Sequence, residues 1–186
     1  MAITKILNIM ESEGRNPASH LKNALEYIQN PDKTEECVLV GGINCLPDTA
    51  FEQMEETKNI FHKTGKRQGY HVIISFSPEE KVTSEQAMYV LEHFANDVLS
   101  DDYEAVYAVH TDREHMHGHL IWNSVSMTTV SMTTGRNTIH LKATGRTISS
   151  LLQINIVMNL DFPSCRQSTA GIQKISAGTS GKRKCP

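Results

Sequence analysis

The chain has 186 residues, of which 39% are hydrophobic and 21% are charged. These fractions are typical of a soluble globular protein and exclude a wholly disordered one. No apolar run approaches the roughly 20 residues that a membrane-spanning helix requires, and the N-terminus lacks the pattern of a secretory signal. The four cysteines show no CxxC spacing, so we expect reduced thiols in a cytoplasmic protein.

The formal net charge of −3 would argue against a nucleic-acid-binding protein if the charge were evenly distributed. Residues 1–136, however, hold 11 basic and 20 acidic side chains, a net charge of −9. Residues 137–186 hold 7 basic side chains and 1 acidic side chain, a net charge of +6. Such a shift predicts a boundary. We therefore expect a globular domain over 1–136, followed by a basic, Ser/Thr-rich, poorly folded tail over 137–186.

The first half of the domain alternates strands with helices. A strand is predicted over residues 2–10, and the Asn16–Pro17 pair then opens an amphipathic helix. The apolar run over residues 37–43 predicts a short buried strand. Asp48 is the predicted N-cap of a second helix.

The second half of the domain adds one helix and three strands. A strand is predicted over residues 70–76, and the pair Thr83 and Gln86 forms a capping box for a third helix. Two further strands, over 103–110 and 115–125, are separated by a four-residue stretch that suits a hairpin loop. The resulting order β-α-β-α-β-α-β-β predicts an α+β or α/β sandwich, with helices covering a mixed or antiparallel sheet.

The final hairpin carries an unusual concentration of metal-binding side chains. Its polar residues are His110, Asp112, His115, His117, His119 and Asn123. Alternate residues of a strand share a face, so His115, His117 and His119 point the same way. Because His115 and His119 would lie about 13 Å apart, at ~3.3 Å per residue, one metal ion can take only an adjacent pair. His110, across the hairpin, can supply the third imidazole, which leaves open positions typical of a catalytic metal. There are two alternatives, ordinary surface histidines and a closed structural zinc site. The closed zinc site is disfavoured because no cysteine lies near the histidines in the sequence.

Three segments together resemble a known family. The HxDxxHxHxHxxxN pattern over 110–123 resembles the third motif of conjugative relaxases, the HUH-type mobilization nucleases related to the border endonuclease of the tumour-inducing plasmid. Residues 19–34 resemble the first motif of that family, and residues 69–76 resemble the second. The resemblance covers roughly residues 1–136 and implies an α+β fold with a central, mostly antiparallel sheet flanked by helices. Gly118 departs from the bulky apolar residue usual at that position, so we expect weakened packing there.

The resemblance implies metal-dependent, site- and strand-specific nicking of single-stranded DNA at an origin of transfer. The reaction would pass through a 5′-phosphotyrosyl intermediate. Tyr27 is the expected nucleophile and Tyr70 the runner-up, although spacing alone would make Tyr27 a packed, half-buried side chain. The expected ligands of the divalent metal, Mg²⁺ or Mn²⁺, are His110, His117 and His119. Asp112 is expected to orient a ligand imidazole. Imidazoles alone suit Mn²⁺, Zn²⁺ or Ni²⁺ better than Mg²⁺.

Other side chains are candidates for contact with DNA. His71 and Ser75 share one face of their predicted strand. The remaining candidates are Lys66, Arg67, Arg113 and Asn123. The expected partners are single-stranded DNA at an origin of transfer and accessory proteins of the relaxosome. Two other functions stay open: a catalytically impaired DNA-binding remnant, and an unrelated histidine-site metal hydrolase.

The region beyond the third motif does not resemble the usual continuation of the family. A perfect tandem repeat of Val-Ser-Met-Thr-Thr occupies residues 125–134, just before the change in charge. We hypothesise a frameshift near Arg136, which would make the chain a truncated relaxase. Sequencing the gene tests this hypothesis, because an intact tail with no alternative reading would contradict it.

Overall fold

The computed structural model describes residues 3–99 and 102–128. The predicted tail and the second copy of the five-residue repeat lie outside the described residues. Within the described ranges, no helix is both long enough and apolar enough to cross a membrane.

The described residues form five strands and three α-helices in the predicted order. The elements are β1 (Ile3–Met10), α1 (Ser19–Ile28), β2 (Val40–Ile43), α2 (Ala50–Ile60), β3 (Arg67–Ser75), α3 (Ser84–Leu99), β4 (Ala105–His110) and β5 (His117–Asn123). All strands join one sheet in the order β1-β3-β5-β4-β2, and every neighbouring pair is antiparallel. The predicted α+β class and antiparallel sheet are therefore confirmed.

The sheet order places β5 in the centre, between β3 and β4. Across the hairpin, His110 pairs in register with His117. On the other side of β5, Ser75 pairs with His117 and Ile73 pairs with His119. Segments that are distant in sequence therefore meet along the strand that carries two of the histidines.

Helices cover the two faces of the sheet, and β5 contributes to both. Leu120 and Trp122 pack with α3 in one apolar core. Ile121 packs with α1 and α2 in a second core on the opposite face. This confirms the predicted alternation along β5 and places the histidines on the side of α1 and α2.

Several local predictions differ from the structure. The strand expected over residues 37–43 is only Val40–Ile43. Cys37 is the last of three consecutive left-handed residues, and its φ angle of 70° is incompatible with a strand. The strand is also a partly exposed edge strand rather than a buried one.

The predicted helix caps and the predicted hairpin loop agree with the structure only in part. Asp48 lies inside a 3₁₀ turn, and α2 has no side-chain cap, so that prediction was wrong. The Thr83–Gln86 capping box forms, with hydrogen bonds of 3.0 and 3.2 Å. His115 lies in the loop before β5, so the hairpin loop is longer than the four residues expected.

Gly118 of β5 lies directly beneath Leu91 of α3. A Cβ atom at this position would lie 2.4 Å from Cδ1 of Leu91, which is fully buried. The expected weakening of packing was therefore wrong, because Leu91 fills the space that a larger side chain would take.

Candidate active site

Three histidine side chains converge on the α1 side of the sheet. His110 ends β4, while His117 and His119 lie on β5, and all three are buried. One ring nitrogen from each residue lies within 4.8 Å of the other two, a spacing at which the three could hold a metal ion. The hairpin register brings His110 opposite His117, and the alternation of β5 places His119 on the same face.

Hydrogen bonds to backbone carbonyls determine the tautomers of two of these rings. His110 donates from Nε2 to the Ile28 carbonyl at 3.0 Å, and His117 donates from Nδ1 to the His115 carbonyl at 3.2 Å. A carbonyl oxygen only accepts, so these nitrogens carry the ring proton. The lone pairs of a neutral ring are then on Nδ1 of His110 and Nε2 of His117.

Two ring nitrogens in the group are buried without any hydrogen-bond partner. They are Nδ1 of His110 and Nε2 of His119. A buried polar atom without a partner is costly unless a ligand satisfies it. Together with the three-imidazole donor set, these nitrogens fit a bound divalent metal ion.

Burial keeps the histidine rings neutral. It is the main cause that lowers the pKa of His119 to about 2 and that of His71 to about 4, with neighbouring imidazoles adding to the effect. Burial likewise lowers the pKa values of His110 and His117. Since a metal binds only the neutral imidazole, all of these rings are in the ligating form at neutral pH.

Tyr27 lies beside the histidines in the last turn of α1. Its ring meets those of His110 and His119 edge-on, at centroid distances of 5.5 and 5.9 Å. The residue is 43% exposed, because it lies at the edge of the buried stripe that Leu25 and Ile28 form. This position combines access from solvent with contact to side chains that could hold a metal.

Lys33 is a member of the site that the sequence reasoning missed. Its ammonium lies 4.1 Å from the centroid of the Tyr27 ring and 3.6 Å from Oδ2 of Asp112. It falls inside the segment that resembles the first family motif, but it follows the end of α1, where helical periodicity no longer gives a signal.

Asp112 was expected to orient a ligand imidazole, but it lies next to the ring nitrogen of His117 that is free to bind a metal. Its Oδ1 is 3.7 Å from Nε2 of His117, the nitrogen that carries the lone pair. The outer nitrogen, Nδ1, is instead bonded to the His115 carbonyl. Asp112 therefore neighbours the nitrogen that could bind a metal, while the backbone carbonyl of His115 orients the ring.

Some of the predicted DNA contacts lie near the histidines. His71 is hydrogen-bonded to His119, with 2.9 Å between its Nε2 and the Nδ1 of His119. Ser75 is opposite His117 and partly exposed, and Arg113 is exposed on the loop before β5. Their role in DNA binding stays a prediction.

The structure does not bring the other candidates to the histidines. Lys66 and Arg67 lie at the opposite end of β3, and Nη1 of Arg67 donates to the Tyr70 hydroxyl at 2.6 Å. Tyr70 is buried and stacked on Trp122, which leaves the runner-up nucleophile inside the core. Asn123 is fully buried, and its Nδ2 donates to the Met54 carbonyl and to Glu104, so its side chain is turned away from solvent.

A family model and individual relatives both relate this chain to relaxases. Residues 27–151 match the family described as relaxase, MobA/VirD2-like, nuclease domain. The group II intron-interrupted relaxase LtrB of Lactococcus lactis subsp. cremoris is 35% identical over 135 residues, covering 59% of this chain and 24% of that protein. The protein rlx of Staphylococcus aureus is 36% identical over 129 residues, covering 69% of this chain and 35% of that protein. The chain thus spans a quarter to a third of the length of these curated relatives.

Proposed function

This chain belongs to the MobA/VirD2-like relaxases, and we propose that it nicks single-stranded DNA at an origin of transfer with Tyr27 as the nucleophile. One observation carries the proposal: a half-exposed tyrosine lies edge-on against two of three buried histidines that could hold a metal. The proposed partners are the origin DNA and accessory proteins of the relaxosome.

The proposed reaction is a transesterification at phosphorus. The Tyr27 oxygen forms a bond to phosphorus, and the bond from phosphorus to the 3′ oxygen of the preceding nucleotide breaks. That oxygen takes up a proton, while the tyrosine gives up its own proton to solvent. The covalent intermediate keeps the phosphodiester energy, so the strand can be rejoined later.

The reaction has two chemical obstacles, a weak nucleophile and a negatively charged phosphate, and residues of the chain can lower both. A tyrosine hydroxyl has a pKa near 10 and is a weak nucleophile at neutral pH, and the phosphate is negatively charged. A divalent ion, Mg²⁺ or Mn²⁺, held by His110, His117 and His119 would act as a Lewis acid toward the phosphate oxygens. The three nitrogen ligands favour Mn²⁺ over Mg²⁺.

Lys33 supplies a second positive charge at the same place. Its ammonium lies over the Tyr27 ring and beside Asp112. We assign it to the scissile phosphate, which must lie close to the tyrosine oxygen during attack. Arg113, exposed on the neighbouring loop, is assigned to an adjacent phosphate.

Covalent capture of DNA tests the proposed function. The chain is incubated with Mn²⁺ or Mg²⁺ and labelled single-stranded oligonucleotides spanning the origin of transfer of its own element, then run on a denaturing gel. We expect a protein–DNA adduct that Tyr27→Phe abolishes. Tyr89→Phe is the matched control, because Tyr89 is similarly exposed, at 47%, but lies on α3.

The alternatives predict other outcomes of the same experiment. DNA binding without any adduct would support the catalytically impaired remnant. Cleavage that persists in Tyr27→Phe would contradict the assigned nucleophile and favour a metal hydrolase that activates water.

A further inference from the structure

We propose that His71 is a positioning residue that holds His119 in the tautomer and orientation required for metal ligation. The inference rests on the proposed metal role of the three histidines. It replaces the expectation that His71 contacts DNA directly.

The geometry places His71 directly behind His119. Both residues lie on the α1 side of the sheet, on the neighbouring strands β3 and β5. Nε2 of His71 lies 2.9 Å from Nδ1 of His119, and the ring centroids are 5.1 Å apart. This is a hydrogen bond between side chains that β-sheet pairing holds in place.

Only one assignment of the ring protons in this hydrogen bond leaves His119 with a nitrogen that can bind a metal. A neutral imidazole carries one ring proton, and one of the two facing nitrogens must donate while the other accepts. Nε2 of His119 is buried and has no hydrogen-bond partner. If that nitrogen holds the lone pair for a metal, Nδ1 carries the proton and donates it to Nε2 of His71.

The other two ligands show the same arrangement with different acceptors. Nε2 of His110 donates to the Ile28 carbonyl, and Nδ1 of His117 donates to the His115 carbonyl. Each ring is thus fixed at the nitrogen that faces away from the proposed metal. His119 lies inside the central strand, where the backbone carbonyls are used by the sheet, so a side chain serves as its acceptor.

An acceptor of this kind affects the affinity for metal more than the fold. Partners that orient a ligating histidine typically change metal affinity by roughly 10- to 100-fold when they are removed. A direct DNA contact by His71 would instead alter DNA affinity and leave metal affinity unchanged. The two roles are therefore separated by measuring metal binding in the absence of DNA.

The experiment measures Mn²⁺ affinity of the DNA-free chain by isothermal titration calorimetry. We expect His71→Leu, which has no acceptor, to weaken Mn²⁺ binding by roughly 10- to 100-fold. We expect His71→Gln, whose amide oxygen can accept from His119, to stay within a few-fold of the wild type. His93→Leu is the control, because His93 lies on α3. Circular dichroism checks folding, and His71→Ala replaces the leucine variant if that variant does not fold.

Unchanged Mn²⁺ affinity in the folded variant without an acceptor would overturn the inference, as would equal losses in the leucine and glutamine variants. Absence of Mn²⁺ binding by the wild type would overturn it as well. The covalent-capture experiment is run in parallel on the wild type. An adduct there, combined with unchanged Mn²⁺ affinity in His71→Leu, would refute the role of His71 while supporting the proposed function.

Discussion

Two clusters of buried polar side chains lie on the same side of the sheet, at opposite ends of β5. The histidine cluster consists of the buried His110, His117 and His119 and the partly buried His71. The Lys58 network consists of Thr57, Lys58, Gln68, Glu104 and Asn123. Both clusters are largely withdrawn from water, but their polar atoms are paired differently.

The Lys58 network pairs donors with acceptors of the protein itself. Lys58 donates to Glu55 and Gln68 at 3.1 and 3.0 Å. Glu104 accepts from Thr57 and Asn123 at 2.9 and 2.7 Å. Every charged group in this network is matched within the chain, which is typical of an arrangement that holds α2 against the sheet.

The histidine cluster gathers bases without a matching set of donors. Two of its ring nitrogens have no partner, although they are buried. Such a cost is common where a ligand completes the arrangement, and perturbed pKa values concentrate at functional sites. The Lys58 network also leaves one buried atom without a partner, Oδ1 of Asn123, but its charged groups are paired. The candidate site differs because its unpartnered atoms are imidazole nitrogens in a converging set of three, which a metal ion could bind.

The largest expected effect separates the two clusters by metal binding. His110→Ala removes one of three proposed ligands, so we expect Mn²⁺ affinity to fall by more than about 100-fold and the DNA adduct to disappear. Glu104→Leu leaves Mn²⁺ affinity unchanged, since it lies in the other cluster. Calorimetry and the adduct gel measure both effects, and equal metal losses in the two variants would remove the distinction.

The next largest effect is on the free energy of unfolding, and here the Lys58 network is the cluster expected to matter. Glu104→Leu leaves the donors of Thr57 and Asn123 without an acceptor, so we expect the free energy of unfolding to fall by about 2–4 kcal/mol. Urea denaturation measures it. Glu92→Leu is the matched control, because Glu92 is an exposed carboxylate on α3. A loss in the control of the same size would contradict the structural role of the network.

A smaller effect depends on pH in the metal-free protein. The folded-state pKa values of His71, about 4, and His119, about 2, lie below the ordinary value of 6.5. Between these values and 6.5 the unfolded chain binds more protons, so the free energy of unfolding falls as pH drops below about 6.5. Urea denaturation at several pH values between 7 and 4 measures the slope. We expect a shallower slope in His119→Gln, and an unchanged slope would contradict the buried neutral state.

The smallest expected effect concerns Lys33. Lys33→Met should slow adduct formation by roughly tenfold and reduce the salt dependence of DNA binding by about 0.7 in log–log slope, the share of one phosphate contact. Lys33→Arg keeps the charge and should retain most of the rate. Lys81→Met is the control, because Lys81 follows a 3₁₀ turn outside the site. A normal salt slope in Lys33→Met would argue against a phosphate contact.

Local sequence patterns were sufficient for the order of elements and for the alternation along β5, where strand geometry leaves few choices. They predicted a hairpin loop shorter than the observed one, so the pairing of His110 with His117 was not predicted. The same reasoning predicted the capping box at Thr83. It did not detect the left-handed residues before β2, because residues other than glycine rarely adopt that conformation and carry no composition signal for it.

Side chains that meet across distant segments could not be assigned from the sequence. Lys33 reaches the site from the turn after α1, and Asn123 turns inward to Glu104 and the carbonyl of Met54. Arg67 appeared suited to phosphate, but it donates to Tyr70 at the far end of β3. Each of these outcomes depends on which helix covers which end of the sheet.

The sequence by itself determined the order of elements, because periodicity is a local property. Its motifs also resembled the family, and that resemblance implied His110, His117 and His119 as the histidines that converge. Only the tertiary structure decided which nitrogen of each ring is left with its lone pair. That choice depends on acceptors from α1, from the loop before β5 and from β3. Hydrogen bonding is directional and short in range, so the assignment exists only once the helices and the sheet have packed.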